Sequence, residues 1–102
     1  MINYDLARNT LALIKSEGNV STGKFFDGKC HCLMGAAYKV SQGKDVVSVT
    51  REYNPFNAIA HQLGFASPCE AYVLNDTLGY TGVTMYLEAL IAHEPPPPTT
   101  SN

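Results

Sequence analysis

Residues 30–43 read Cys-His-Cys-Leu-Met-Gly-Ala-Ala-Tyr-Lys-Val-Ser-Gln-Gly, and this stretch decides the fold class. Its leucine, alanines and valine recur at helical spacing, and a glycine follows as a stop signal. We therefore predict a helix that begins at Cys30 or His31 and ends near Gln42. Gly35 lies inside it, where glycine costs up to about 1 kcal/mol relative to alanine. We expect this glycine to allow a neighbouring helix to approach closely.

The chain before this segment predicts a second helix, over residues 3–17. Apolar side chains form one stripe along it, Asn3 is a suitable N-terminal cap, and Gly18 offers a left-handed stop. From Gly18 the chain is rich in Gly, Ser, Asn and Asp, which is typical of a loop. We expect the adjacent rings of Phe25 and Phe26 to fill part of the core from this loop.

A third helix is predicted to begin at Asn54-Pro55, a capping residue followed by proline, and to end at Gly64. We expect Phe65 to pack back on its last turn. The valines between Lys44 and Tyr53 favour a strand by residue type. A single strand has no partner for its backbone, so we predict a loop or a short helical turn there.

The remaining helices surround a polar motif. Ser67-Pro68 indicates a short helix that continues to Leu74. Residues 75–79, Asn-Asp-Thr-Leu-Gly, have the composition of a turn in which the glycine takes a positive φ. Thr81 is predicted to cap the last helix, and Pro95 to end it.

Together these segments predict an all-α fold, a compact single domain of four to five short helices. A minor β-hairpin near Phe25 or Val47 is the alternative. We place the domain at residues 1–94. Residues 95–102 are rich in proline and threonine, and we expect a disordered tail.

Composition excludes several classes of protein. In 102 residues, 45% are hydrophobic and 16% charged, which predicts a folded chain. A net charge of -2 with only seven basic residues does not favour nucleic acid as a partner. Three cysteines are an odd number and argue against a secreted disulfide framework. No secretion signal and no membrane span are visible, so we expect a cytoplasmic protein.

Two motifs carry a resemblance to a known family. Residues 32–37, Cys-Leu-Met-Gly-Ala-Ala, and residues 75–81, Asn-Asp-Thr-Leu-Gly-Tyr-Thr, resemble the bacterial and phage family called domain of unknown function 6197. Its members carry a Cys-Ala-Leu-Gly-Ala core and an Asn-Asp-x-x-Gly-x-Thr turn. They also carry Trp where this chain has His31 and Leu74. The resemblance implies a compact helical fold and a setting in phages or mobile elements, and it implies no activity.

Cys32 is the candidate nucleophile, because a thiol at a helix N-terminus has a lowered pKa. His61 and Asp76 follow it in an order also found in cysteine hydrolases, so a Cys32–His61–Asp76 site is one alternative. The other is a small buried residue where two helices touch, and we favour it. Zinc would need ligands from Cys30, His31, Cys32 and Cys69. These residues lack paired Cys-x-x-Cys arms, so we expect no metal and no other cofactor.

The residues that we assign to binding are polar or aromatic and lie in or near loops: Tyr53, Tyr72, Asn75, Asp76 and Tyr80. Tyrosines bury a large area with few rotatable bonds, which suits protein interfaces. Their alternative role is to shield the edge of a small core. Likewise, the turn could receive an anion or a partner's backbone, or Asn75 and Asp76 could hold it through side-chain-to-backbone bonds.

These observations lead to an expected function. We expect a non-enzymatic module that binds a protein partner, in the setting of a phage or mobile-element accessory protein that inhibits a host defence protein by occlusion. It would then act in the host cytoplasm. A small hydrolase or transferase using Cys32 with His61, and a small-ligand or nucleotide binder at residues 75–81, are the alternatives. A homo-oligomer remains open.

Overall fold

The structure is a computed structural model that describes residues 1–46 and 53–96, without the side chains of Tyr53 and Asn54. Four helices make up the fold: α1 (Tyr4–Glu17), α2 (Leu33–Gln42), α3 (Tyr53–Gln62) and α4 (Pro68–Ala92). The prediction of a small all-α domain is confirmed. The only β pairing among the described residues is one isolated antiparallel bridge between Phe26 and His31. The prediction for the valine-rich segment before α3 falls largely on residues outside the described ones.

Capping residues define α1 as predicted. The side-chain oxygen of Asn3 accepts a hydrogen bond of 3.0 Å from the backbone N–H of Leu6, which satisfies one of the free amides at the helix start. Gly18 ends the helix with φ 76° and donates its N–H to the carbonyl of Ile14. A residue with a Cβ would be strained in this left-handed conformation, and glycine is not.

The junction between α3 and α4 also follows the prediction. Gly64 has φ 89°, and the N–H of Phe65 reaches back 2.9 Å to the carbonyl of Ala60. The ring of Phe65 stacks on Tyr86 of α4 with centroids 4.7 Å apart, and the Tyr86 hydroxyl donates to the Leu63 carbonyl at 2.7 Å. The glycine stop therefore turns the chain, and the aromatic pair holds α4 against the end of α3.

The polar motif is only partly as predicted. Residues 75–78 are helical and do not form a turn, so the turn prediction is wrong for them. Gly79 has the expected positive φ, with φ 63° and ψ -158°, and this non-helical residue divides α4 into two helical segments that meet at a kink. Thr81 lies inside α4 rather than capping it, and its carbonyl accepts a hydrogen bond from the hydroxyl of Thr84 at 3.0 Å.

The core lies where the helices meet. α1 packs against α2 and α4, and α3 packs against the same two helices. Fully buried side chains from all four helices form this core, among them Ile14, Leu33, Met34, Ile59, Leu63, Val83 and Leu87. Among the described residues, none of the helices combines the length and the apolar character needed to cross a bilayer.

Candidate functional site

The loop between α1 and α2 packs directly on the start of α2. The backbone N–H of Cys32 donates to the carbonyl of Phe25 at 3.1 Å. A Cβ placed on Gly35 would lie 2.1 Å from the same carbonyl oxygen, a distance at which something must move. The close approach predicted at Gly35 is therefore present, but the neighbour is this loop and not a helix.

Cys32 caps α2, and the helix begins at Leu33 rather than at Cys30 or His31 as predicted. The Cys32 Sγ accepts a hydrogen bond of 3.3 Å from the N–H of Gly35, in the position where Ser or Asp commonly caps a helix. The side chain is buried, with 6% of its surface exposed. Burial raises the pKa of the Cys32 thiol, which opposes formation of the nucleophilic thiolate.

Asn75 connects three segments of the chain from inside α4. Its Oδ1 accepts a hydrogen bond of 2.9 Å from the N–H of Leu33, the first residue of α2. Its Nδ2 donates to the Ser21 carbonyl at 2.8 Å and to the Asp76 Oδ1 at 3.0 Å. Asn75 is 1% exposed, so these bonds satisfy polar groups that water does not reach. The side chain does bond to backbone as expected, but across the fold and not within a local turn.

His31 lies between two carboxylates, an arrangement that was not predicted from the sequence. Its Nδ1 is 2.6 Å from Glu17 Oε2, and its Nε2 is 2.5 Å from Asp45 Oδ1. Its backbone N–H donates to the other oxygen of Glu17 at 2.8 Å, and its ring stacks on Phe26 at 4.3 Å. These contacts anchor the loop to the end of α1 and to the chain after α2.

Asp45 contacts two basic side chains. In addition to His31, the Lys39 Nζ lies 3.3 Å from Asp45 Oδ2. The hydrogen bond from His31 lowers the pKa of Asp45, and Lys39 adds to this effect. Asp45 therefore holds the segment that follows α2 against the loop.

A cavity of about 280 Å³ opens between the loop and the first half of α4. Four of the predicted site residues line it: Cys32, Tyr72, Asn75 and Asp76. The other lining residues, Gly23, Lys24 and Phe25, were not predicted, because only the folded loop brings them beside α4. The rings of Phe25 and Tyr72 meet edge to face at 5.9 Å and make its wall largely apolar.

The remaining predicted residues lie elsewhere. His61 is an exposed residue near the end of α3, and its Nε2 is hydrogen bonded to the Ala66 carbonyl at 2.9 Å. It is not among the residues that line the cavity with Cys32 and Asp76. Tyr80 is half-buried and packs against the core, as does Tyr72. The side chain of Tyr53 lies outside the described residues.

A second surface lies on the opposite flank of α4. Here Val73 is 63% exposed and Leu78 is 56% exposed. They border a shallow apolar groove with Cys69, Glu70, Leu74 and Thr77. We call the residues of this groove the outer flank of α4. This surface was not predicted, because a turn at residues 75–79 would have placed Val73 and Leu78 on separate elements rather than along one helix.

Within residues 1–46 and 53–96, no group of three or more His, Cys, Asp or Glu side chains has an arrangement that could hold a metal ion. Comparisons with protein-family models, curated proteins and solved structures found no match to this chain. The resemblance to domain of unknown function 6197 therefore stays a prediction that rests on the two motifs.

Proposed function

We propose that this protein is a non-enzymatic module that binds a partner protein through the outer flank of α4. One observation carries the proposal: Val73 and Leu78, both large and apolar, are more than half exposed beside one groove. Five large hydrophobic side chains are exposed among the described residues. Three of them lie on α4: Val73, Leu78 and Met85. Grouped apolar side chains on a surface are typical of interaction sites.

Charge indicates what kind of partner fits. The segment Pro68–Ala92 contains Glu70, Asp76 and Glu88 and no lysine or arginine. Glu70 itself borders the groove. A complementary surface would present apolar side chains flanked by Lys or Arg, and an amphipathic basic helix meets both requirements. We therefore propose a partner segment of this type, which α4 would occlude.

The hydrolase alternative has less support. Cys32 is buried and its hydrogen bond caps α2, whereas His61 is exposed and hydrogen bonded to the Ala66 carbonyl. A cysteine nucleophile requires an accessible thiolate and a base within hydrogen-bond reach.

The resemblance to domain of unknown function 6197 adds a biological setting to the binding proposal. In that setting the protein is an accessory protein of a phage or mobile element that inhibits a host protein by covering its surface.

A displayed peptide library tests the binding proposal and does not require the partner to be identified first. Peptides are selected on the wild-type protein and then tested for binding to the Val73→Lys variant, with Ala12→Lys on the exposed face of α1 as the matched control. We expect enriched peptides to combine Lys or Arg with apolar residues at helical spacing, and to bind the control as well as the wild type. Enrichment of acidic peptides, or equal binding to Val73→Lys, would contradict the proposal.

A further inference from the structure

The cavity between the loop and the first half of α4 lies on the side of α4 opposite its outer flank, which we call the inner flank. Its composition suits a small planar molecule. Its wall contains the rings of Phe25 and Tyr72, and the Cys32 thiol lies in the same lining. Its volume of about 280 Å³ is at the lower limit of ordinary ligand pockets, which favours a ring system over a larger ligand. This surface is separate from the outer flank of α4 and does not depend on the proposed function.

Two charged side chains in the cavity lining, those of Lys24 and Asp76, can form further hydrogen bonds. The Lys24 side chain lines the cavity and makes no hydrogen bond with any other described residue, and its charge acts on Asp27 only at longer range. Asp76 accepts one hydrogen bond on Oδ1, from Asn75, and its Oδ2 has no partner among the described residues. A cation and a carboxylate beside an aromatic wall present a donor and an acceptor to the same occupant.

Asn75, in contrast, cannot serve a ligand. Its oxygen is bonded to the N–H of Leu33, and its two amide hydrogens are directed to Ser21 and Asp76. It positions Asp76 instead, since the bond from Nδ2 holds the carboxylate at the cavity. The polar recognition of a bound molecule would therefore fall to Lys24 and Asp76.

We infer that this cavity binds a planar heteroaromatic ring of the guanine type. The edge of guanine carries an oxygen acceptor next to two N–H donors. Asp76 accepts from the donors, Lys24 donates to the oxygen, and the ring packs against Phe25 and Tyr72. Adenine lacks the oxygen acceptor and has one donor on that edge, so it fits this pair of groups less well.

The test is a titration of the full chain followed by two-dimensional amide NMR, with guanosine, adenosine and phenol as separate probes. We expect guanosine to shift the amide signals of Phe25, Cys32 and Tyr72 and to bind at least tenfold more tightly than adenosine. Asp76→Asn, which keeps the oxygen that Asn75 contacts, should weaken guanosine binding tenfold or more. Lys24→Ala should weaken it severalfold.

Glu88→Gln is the matched control, because it removes one carboxylate from α4 away from the cavity, and it should bind guanosine as the wild type does. Amide spectra of each variant without ligand establish that it is folded. Equal binding of phenol and guanosine, unaffected by Asp76→Asn, would overturn the inference and leave only an apolar cleft. Absence of any shift at the cavity with guanosine at millimolar concentration would also overturn it.

Discussion

The inner and outer flanks of the first half of α4 differ in how their side chains are used. On the inner flank, Asn75 is buried and every polar atom of its side chain is bonded to another part of the chain. On the outer flank, Val73 and Leu78 are apolar and exposed. The comparison indicates that Asn75 holds segments of the fold together, whereas Val73 and Leu78 of the same helix are left exposed, where we propose that a partner binds.

The largest effect is expected where the loop touches α2. Gly35→Ala would place a Cβ 2.1 Å from the Phe25 carbonyl oxygen, so the loop must move and lose its bond to Cys32. We expect a loss of about 3 kcal/mol in the free energy of unfolding, or failure to fold. Chemical denaturation measures this loss. Ala12→Val, a comparable enlargement on an exposed helix face, should change stability little, and a stable Gly35→Ala protein would show that the loop does not pack there.

A loss of about 2–3 kcal/mol is expected for Asn75→Ala. The substitution leaves the Leu33 N–H and the Ser21 carbonyl buried without their partners. Thermal unfolding followed by circular dichroism provides the measurement. Asn57→Ala, on the exposed side of α3, is the control and should melt within a degree or two of the wild type. If both variants melted alike, Asn75 would not connect the segments as described.

Asp45→Asn is expected to have an intermediate effect that depends on pH. The folded pKa of Asp45 is lowered below its ordinary value of 3.8, mainly by the hydrogen bond from His31. Its contribution to stability is therefore present above about pH 3.8 and is lost as the pH falls through the folded pKa. We expect Asp45→Asn to cost about 1 kcal/mol at pH 6, because the pair is partly open to solvent.

Urea denaturation of the wild type and of Asp45→Asn at pH 6 and at pH 3 checks this prediction. The difference between the two proteins should shrink at the lower pH, because the stabilising contribution of the ionised carboxylate declines as the pH falls below about 3.8. Asp5→Asn, at an exposed position in the first turn of α1, controls for the general loss of a carboxylate. A difference that grew on acidification would contradict the arrangement around His31.

The smallest effect on stability is expected on the outer flank. Val73→Lys replaces a side chain that is already 63% exposed, so the unfolding free energy should change by no more than about 0.5 kcal/mol. Binding of a selected basic peptide should nevertheless fall at least tenfold in a fluorescence titration. A large loss of stability would show that Val73 belongs to the core and is not available to a partner.

Much of the fold could be predicted because the residues that begin and end a helix lie close to it in sequence. Asn3 caps a helix three residues away, and Gly18 and Gly64 end helices through their own backbone conformation. These signals depend on neighbours in sequence, so they can be recognised before the tertiary structure is known.

The site was harder to predict because its contacts are distant in sequence. Asn75 bonds to Leu33, 42 positions away, and to Ser21, 54 positions away. Asn-Asp followed by Gly is also typical of a turn, so the local pattern favoured the wrong structure for residues 75–78. Glu17 and Asp45, which contact the ring of His31, each lie 14 positions from it, and no local pattern connects them to it.

The buried thiol of Cys32 caps α2, and its raised pKa opposes the nucleophilic role that the hydrolase alternative requires. The most direct measurement is the rate of iodoacetamide alkylation at each cysteine of the native protein at pH 7.5, resolved by peptide mass spectrometry. Cys69 is exposed and Cys32 is buried with a raised pKa. We predict that Cys69 reacts readily and that Cys32 reacts far more slowly than Cys69 while the protein stays folded. Modification of Cys32 ahead of Cys69 in the folded protein would contradict the account.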